Sequence, residues 1–325
     1  MKRQDFLSEA RKFTDDKLRI IRQELKAALA DSQYNDEITL IATGSYGRGE
    51  ASEESDLDWF LIFDKDLDPA ETIPTEIDRI VEVIARNIAK DPGDSQTFGE
   101  NALVKFSDMQ SNIGGKNDTN ETLTRRLLFL LEGTWLYGEN RFKSYRLKLL
   151  EKYIKPDASQ EQLPYFFLND IIRYYRTMAT DFEYKVVEGG KEWGLRNIKL
   201  RFSRKLLYFG GVIAVAELTG LSHKNKLQRA EELFNQNTLE RLESVSTGPC
   251  KKAAEAALQL YAQFLEQLSR PEVRTALSEC AKESRTDCSE YVELRDVSER
   301  FSKELHDWLQ VKYSPDHQIH HALVF

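Results

Sequence analysis

Apolar and polar residues follow two different periods along the first part of the chain. Between residues 6 and 29, apolar residues recur every three to five positions among charged ones, which predicts an amphipathic helix. Two short apolar runs rich in β-branched and aromatic residues follow, Ile38–Ala42 and Trp59–Phe63, and predict two strands buried in one sheet. Helical spacing returns over residues 77–88, so we expect a helix that packs on this sheet.

The pattern changes near the middle of the chain. Residues 96–106 have strand character, which predicts a third strand or strand pair. Beyond Asn120, helical periodicity continues to the C-terminus, and Asp118 with Glu121 predicts a capping box at the first helix. The pattern therefore predicts an α+β fold, with a sheet and its helices followed by an all-helical region.

Length and composition support two folded domains. The chain has 325 residues, of which 41% are hydrophobic, and single cores stop growing at about 250–300 residues. We predict one domain over residues 1–140, which includes the N-terminal helix, and a helical domain over residues 141–325.

Charge and hydropathy restrict the partners. Lys and Arg total 46 against 54 Asp and Glu, and the resulting net charge of −8 argues against long nucleic acid as a partner. The chain starts with mixed charged residues rather than the apolar segment of a secretory signal, and its longest apolar stretch is too short to span a membrane. We expect a cytoplasmic protein with no membrane partner.

A turn rich in small residues and a pair of aspartates join the first two predicted strands. Gly44 and Ser45 open the turn, and Asp56 and Asp58 lead into the second strand. Because Asp56 and Asp58 are two residues apart in extended chain, their side chains emerge on one face. Carboxylate oxygens suit Mg²⁺, which commonly shares its shell with substrate phosphates, and a glycine-rich turn lets the backbone approach phosphate oxygens. Either element alone is common in solvated loops, but the two together between buried strands favour a metal and nucleotide site.

The same residues carry a family resemblance. Gly44-Ser45, ten further residues and then Asp56-Leu57-Asp58 resembles the signature of the nucleotidyltransferase superfamily, which has the polymerase-β-like fold. The fuller form, Gly-Ser-Tyr-Gly-Arg-Gly-Glu with Ser-Asp-Leu-Asp, is similar to the bacterial branch around the protein-PII uridylyltransferases. The resemblance implies a mixed sheet backed by helices, two Mg²⁺ or Mn²⁺ ions, and ATP or another nucleoside triphosphate as substrate.

The activity implied by this resemblance is transfer of a nucleoside monophosphate with release of pyrophosphate. The acceptor stays open among a protein side chain, a nucleotide and a small molecule. The family's third metal carboxylate lacks a local signature here, and Glu100 is our candidate, with Asp108 and Asp94 as alternatives and a plain surface role for Glu100 as the competing interpretation. The competing functional hypothesis is a non-catalytic nucleotide sensor or interaction module with the same fold.

Basic residues in the helical half give further candidates for nucleotide binding. Arg173 lies on the polar face of a predicted helix, and residues 191–208 contain six Lys or Arg against one acid, a local charge of +5. We expect the helical domain to form the other wall of the active-site cleft, and the predicted nucleotide-binding residues are Gly44, Ser45, Arg48, Arg173, Arg201 and Lys205. The alternative for the basic residues is pairing with acids or plain solvation.

Overall fold

A computed structural model describes residues 3–90 and 98–324. The chain divides into two compact units, Glu9–Ala158 and Ser159–Phe325, the latter together with the first residues of the chain. The domain limits expected from the sequence, with a boundary at residue 140, stay a prediction.

The first unit is built on a mixed four-stranded sheet. Its strands are β1 (Ile38–Ala42), β2 (Trp59–Phe63), β3 (Leu103–Val104) and β4 (Thr134–Tyr137). The order across the sheet is β3-β2-β1-β4, with β1 antiparallel to both neighbours and β2 parallel to β3. All residues of β1 and β2 are buried, which explains their continuous apolar sequences.

Helices surround this sheet and supply much of the core. They are α1 (Arg3–Ala28), α2 (Gly44–Arg48), α3 (Pro69–Thr72), α4 (Pro74–Asn87), α5 (Phe106–Gln110), α6 (Asn120–Leu131) and α7 (Glu139–Tyr153). Ile21 and Leu25 of α1 and Ile80 of α4 are fully buried in one cluster with the strands. The amphipathic patterns in the sequence therefore correspond to helices that cover the sheet.

Two strands differ from the expectation. The third strand is limited to Leu103–Val104, because Phe106 already begins α5, while residues 91–97 lie outside the described residues. The strand β4 was not expected, since it comprises four residues directly after a long helix.

The second unit is helical, as predicted. Its elements are α8 (Tyr165–Val187), α9 (Gly194–Lys199), a π-helical segment (Leu200–Arg204), α10 (Lys205–Ala216), α11 (His223–Phe234), α12 (Thr238–Val245), a 3₁₀ turn (Gly248–Cys250), α13 (Lys251–Leu268), α14 (Pro271–Glu279), α15 (Ser289–Lys312) and α16 (Gln318–Ala322). Over residues 3–90 and 98–324, no helix combines the length and apolarity needed to cross a membrane.

A buried ion pair fixes the start of α6 in place of the expected capping box. Thr119, not Asp118, is the N-cap, and its hydroxyl accepts a hydrogen bond from the Thr122 N–H. Asp118 instead accepts two hydrogen bonds from Arg126 at 2.9 and 3.1 Å, and both side chains are fully buried. Arg126 Nε also donates to the Tyr153 hydroxyl at 2.7 Å, so this one side chain ties α6 to α7.

We expect Asp118→Ala to lower the free energy of unfolding by about 3–5 kcal/mol, because it leaves the Arg126 charge buried without its carboxylate. Urea denaturation followed by circular dichroism measures this change. Asp31→Ala is the matched control, since Asp31 accepts from Arg79 at 2.6 Å but its side chain is 74% exposed. Equal losses in the two variants would contradict the importance of burial for the Asp118 pair.

Candidate functional site

The register of β1 and β2 brings Asp58 against the glycine turn. Ala42 faces Trp59 across the antiparallel pair, and the Thr43 N–H donates to the Asp58 carbonyl at 2.8 Å. Asp58 Oδ2 lies 2.7 Å from the position that a Cβ on Gly44 would take, and Gly44 itself has φ +66°. A side chain at Gly44 is therefore disfavoured by the backbone conformation and by the Asp58 carboxylate together.

Asp56 lies near the same turn, as judged from its effect on Tyr46. Burial raises the pKa of Tyr46 to about 12, and the negative charges of Glu53 and Asp56 add to this rise. The Tyr46 hydroxyl therefore stays neutral at physiological pH. Ser45 follows Gly44 in the same turn and is half-buried. Four of the predicted site residues therefore lie at the end of β1: Gly44, Ser45, Asp56 and Asp58.

A buried carboxylate that the sequence analysis missed holds this turn. Glu132, just after α6, accepts hydrogen bonds from the Gly44 N–H at 2.9 Å and from Arg48 Nη1 at 2.6 Å. Arg48 Nε also donates to Glu50 Oε1 at 2.6 Å. The whole group is buried, and the main-chain oxygen of Glu132 lies only 2.2 Å from where a Cβ on Gly47 would be. Glu132 therefore contacts the turn through both its side chain and its backbone.

These contacts change the interpretation of two turn residues. Arg48 is only 7% exposed and is engaged by Glu50 and Glu132, so direct contact with a nucleotide would require breaking buried ion pairs. Gly47 lacks a side chain because Glu132 packs on it, which is a structural reason rather than approach to a phosphate. The structure thus assigns Arg48 and Gly47 to the support of the turn.

Over residues 3–90 and 98–324, the structure groups no third carboxylate with the aspartate pair. Glu100 is exposed in the turn before β3, after Gly99, whose N–H donates to the Trp59 carbonyl at 2.7 Å. Asp108 is exposed on α5, and Asp94 lies outside the described residues. Among the residues that the structure describes, no three His, Cys, Asp or Glu side chains are placed to hold a metal ion together. The role of Glu100 as the third metal carboxylate stays a prediction.

The remaining predicted residues lie in the helical unit, where the structure gives them local partners. Arg173 pairs with Asp170 at 3.5 Å. Arg201 donates to the Asn197 side chain at 2.9 Å, and Lys205 donates to the Ser302 hydroxyl at 2.5 Å. Nucleotide binding by Arg173, Arg201 and Lys205 stays a prediction.

A part of the first unit matches a known protein family. Residues 18–111 match the model of the family described as nucleotidyltransferase domain. This part of the chain is therefore similar to a nucleotidyltransferase domain. The matched residues include β1, the glycine turn and β2 with Asp56 and Asp58, whereas Glu132 and β4 lie beyond them. The match supports the polymerase-β-like superfamily as a whole and does not single out the PII-uridylyltransferase branch. Among curated proteins, none matches the chain.

We expect Gly44→Ala to destabilise the sheet unit more than Gly114→Ala. Both glycines have positive φ, +66° and +77°, but a Cβ at Gly114 would meet nothing within 4 Å. Gly114→Ala should therefore cost about 1–2 kcal/mol of backbone strain alone, and Gly44→Ala should add the contact with Asp58. Urea denaturation of both variants measures the difference, and equal costs would show that Asp58 does not constrain position 44.

We expect Glu132→Gln to lower the unfolding midpoint clearly, because Arg48 then loses one of its two buried counter-charges. Glu121→Gln is the control, since Glu121 pairs with Arg125 at 2.7 Å while its side chain is 56% exposed. Thermal unfolding monitored by circular dichroism compares the two. A midpoint for Glu132→Gln as high as that of the control variant would argue against a supporting role for Glu132.

Proposed function

We propose that this protein transfers a nucleoside monophosphate from a nucleoside triphosphate to an acceptor and releases pyrophosphate. The observation that carries the proposal is the placement of the Asp58 carboxylate against the backbone of the Gly44 turn. A carboxylate beside the half-buried Ser45 combines a ligand for a cation with a hydroxyl that can contact phosphate oxygens. The nucleotidyltransferase family match over residues 18–111 supports the same chemistry.

The residues at the turn fit a divalent cation of the Mg²⁺ class. Asp56 and Asp58 supply hard oxygen ligands, and both are half-buried rather than fully enclosed, which leaves room for water and phosphate oxygens. In this proposal Asp56 and Asp58 would hold Mg²⁺ or Mn²⁺. When bound, the ion would neutralise charge on the triphosphate and on the leaving pyrophosphate.

The protein's own contribution is the positioning of the triphosphate. Ser45 would contact phosphate oxygens, while Glu132 and Arg48 fix the backbone on which Ser45 stands. An acceptor oxygen then forms a bond to the α phosphorus, and the bond from this phosphorus to the bridging oxygen of the pyrophosphate breaks. Catalysis of this kind depends on positioning and on charge stabilisation, with little covalent work for side chains.

A second function has one observation in its favour. Among the residues that the structure describes, no third carboxylate joins Asp56 and Asp58. A nucleotide sensor that retains the fold and binds without turnover would need no such group. The two functions differ in a single outcome, which is release of pyrophosphate.

We expect Asp56→Asn and Asp58→Asn each to reduce nucleotidyl transfer by at least about 100-fold, since each removes a carboxylate that would hold the cation that neutralises the triphosphate. The purified protein is incubated with each NTP, Mg²⁺ or Mn²⁺, and a cell lysate, while α-phosphate label is followed into protein, oligonucleotide and small-molecule fractions. Pyrophosphate release is measured in parallel.

The control for this experiment is Asp36→Asn, which alters an exposed aspartate outside the turn and should leave transfer unchanged. Transfer that persists at the wild-type rate in both Asp56→Asn and Asp58→Asn would refute the assignment of this site. Saturable NTP binding without pyrophosphate release would favour the sensor instead.

A further inference from the structure

Two half-buried cations in the helical unit have no carboxylate partner among the residues that the structure describes. Arg201 lies in the π-helical segment and Lys205 begins α10. Both are half-buried, and in the part of the chain that the structure describes neither forms an ion pair with a carboxylate. By contrast, Arg229 and Lys312 in the same unit both pair with Glu217, at 3.6 and 3.3 Å.

Neutral oxygens position the two cations without cancelling their charge. Arg201 Nε donates to Asn197 Oδ1 at 2.9 Å and its Nη1 to Ser298 Oγ at 3.5 Å, while Lys205 Nζ donates to Ser302 Oγ at 2.5 Å. Each serine hydroxyl donates its own hydrogen to a carbonyl of α15, at 2.6 Å for Ser298 and 2.7 Å for Ser302. The hydroxyls therefore present lone pairs to the cations and fix their positions.

Two acids beside Ser298 on α15 pair with another cation. Asp296 and Glu299 both pair with Arg295, at 3.0 and 4.0 Å. The two cations also act on each other, because burial lowers the pKa of Lys205 and the positive charge of Arg201 lowers it further. Two like charges placed together away from bulk water are unfavourable in the absence of an anion.

The local helix geometry supports a functional origin for this arrangement. The segment Leu200–Arg204 is π-helical, a conformation that is rare and is often found at functional sites. Residues 191–208 carry a charge of +5 in a chain whose net charge is −8. The positive charge is therefore concentrated around this π-helical segment.

We propose that Arg201 and Lys205 form a binding site for a phosphate-class oxyanion. The guanidinium of Arg201 and the ammonium of Lys205 retain N–H groups beyond those given to Asn197, Ser298 and Ser302, and these can donate to anionic oxygens. The planar guanidinium of arginine can donate two hydrogen bonds to one phosphate group, and the lysine ammonium adds a second positive charge beside it. The ligand is a free phosphate or pyrophosphate, or the phosphates of a nucleotide. This inference does not depend on nucleotidyl transfer.

Titration calorimetry of the full chain with pyrophosphate, in EDTA at constant ionic strength, tests the proposal. We expect saturable binding that Arg201→Gln and Lys205→Gln each weaken at least tenfold and that the double variant loses. Lys224→Gln/Lys252→Gln removes the same charge from exposed positions and should bind like the wild type. Asp58→Asn should also bind like the wild type, which separates this site from the proposed transferase site.

A second measurement covers the case in which the variants fold poorly. In the wild-type protein, NMR titration of the Lys205 side chain should show its pKa rising when pyrophosphate is added, because the anion stabilises the charged form. Pyrophosphate should likewise raise the unfolding temperature of the wild type and of the Lys224→Gln/Lys252→Gln control.

The affinities for ATP and for pyrophosphate distinguish a nucleotide from a free oxyanion as the ligand. ATP that binds at least tenfold more tightly than pyrophosphate in EDTA identifies a nucleotide as the ligand, and equal affinity identifies the free oxyanion. The proposal is wrong if pyrophosphate fails to bind the wild type, if the double variant binds it unchanged, or if Asp58→Asn alone abolishes binding.

Discussion

The buried contact between Glu132 and the glycine turn is the constraint on which the candidate site depends. One carboxylate accepts from the Gly44 N–H and from Arg48, and Arg48 in turn reaches Glu50. Charged groups removed from water are stable only with their partners, so these segments have to come together in one arrangement. That arrangement places Gly44 under the Asp58 carboxylate, within the hydrogen-bonded frame of β1 and β2. The ion pair of Glu132 with Arg48 thus positions the turn, while the reaction that we propose uses the side chains of other residues.

The sequence alone predicted those structural features that depend on residues close together along the chain. The two central strands are continuous apolar runs because both faces of the sheet are covered, and α1 and α4 show one apolar face because they pack on it. The aspartate pair was also visible, since a two-residue spacing before a strand is a property of neighbouring positions. The mixed sheet followed by helices is confirmed on these grounds.

Other features could not be predicted, because their causes lie far apart along the chain. Glu132 meets Gly44 across 88 positions, and nothing in its neighbourhood marks it as different from any other glutamate at a helix end. Asp118 was misinterpreted for a different reason: its position before α6 is typical of a capping residue, but its carboxylate is paired with Arg126 inside that helix. The strand β4 has only four residues and is stabilised by its pairing with β1 rather than by its own pattern.

Two pairs of basic residues in this protein differ in the groups that surround their charges. Arg48 and Arg126 are enclosed with carboxylates that match them, so their charges are accounted for within the fold and contribute to its specificity. Arg201 and Lys205 are positioned by neutral oxygens only, although a single carboxylate would have removed the repulsion between them. In our proposal, a bound anion supplies the negative charge that Arg201 and Lys205 do not receive from a carboxylate of the described chain. Arg201 and Lys205 thus differ from Arg48 and Arg126 in the partners of their charges, and this difference is independent of the number of basic residues in the segment.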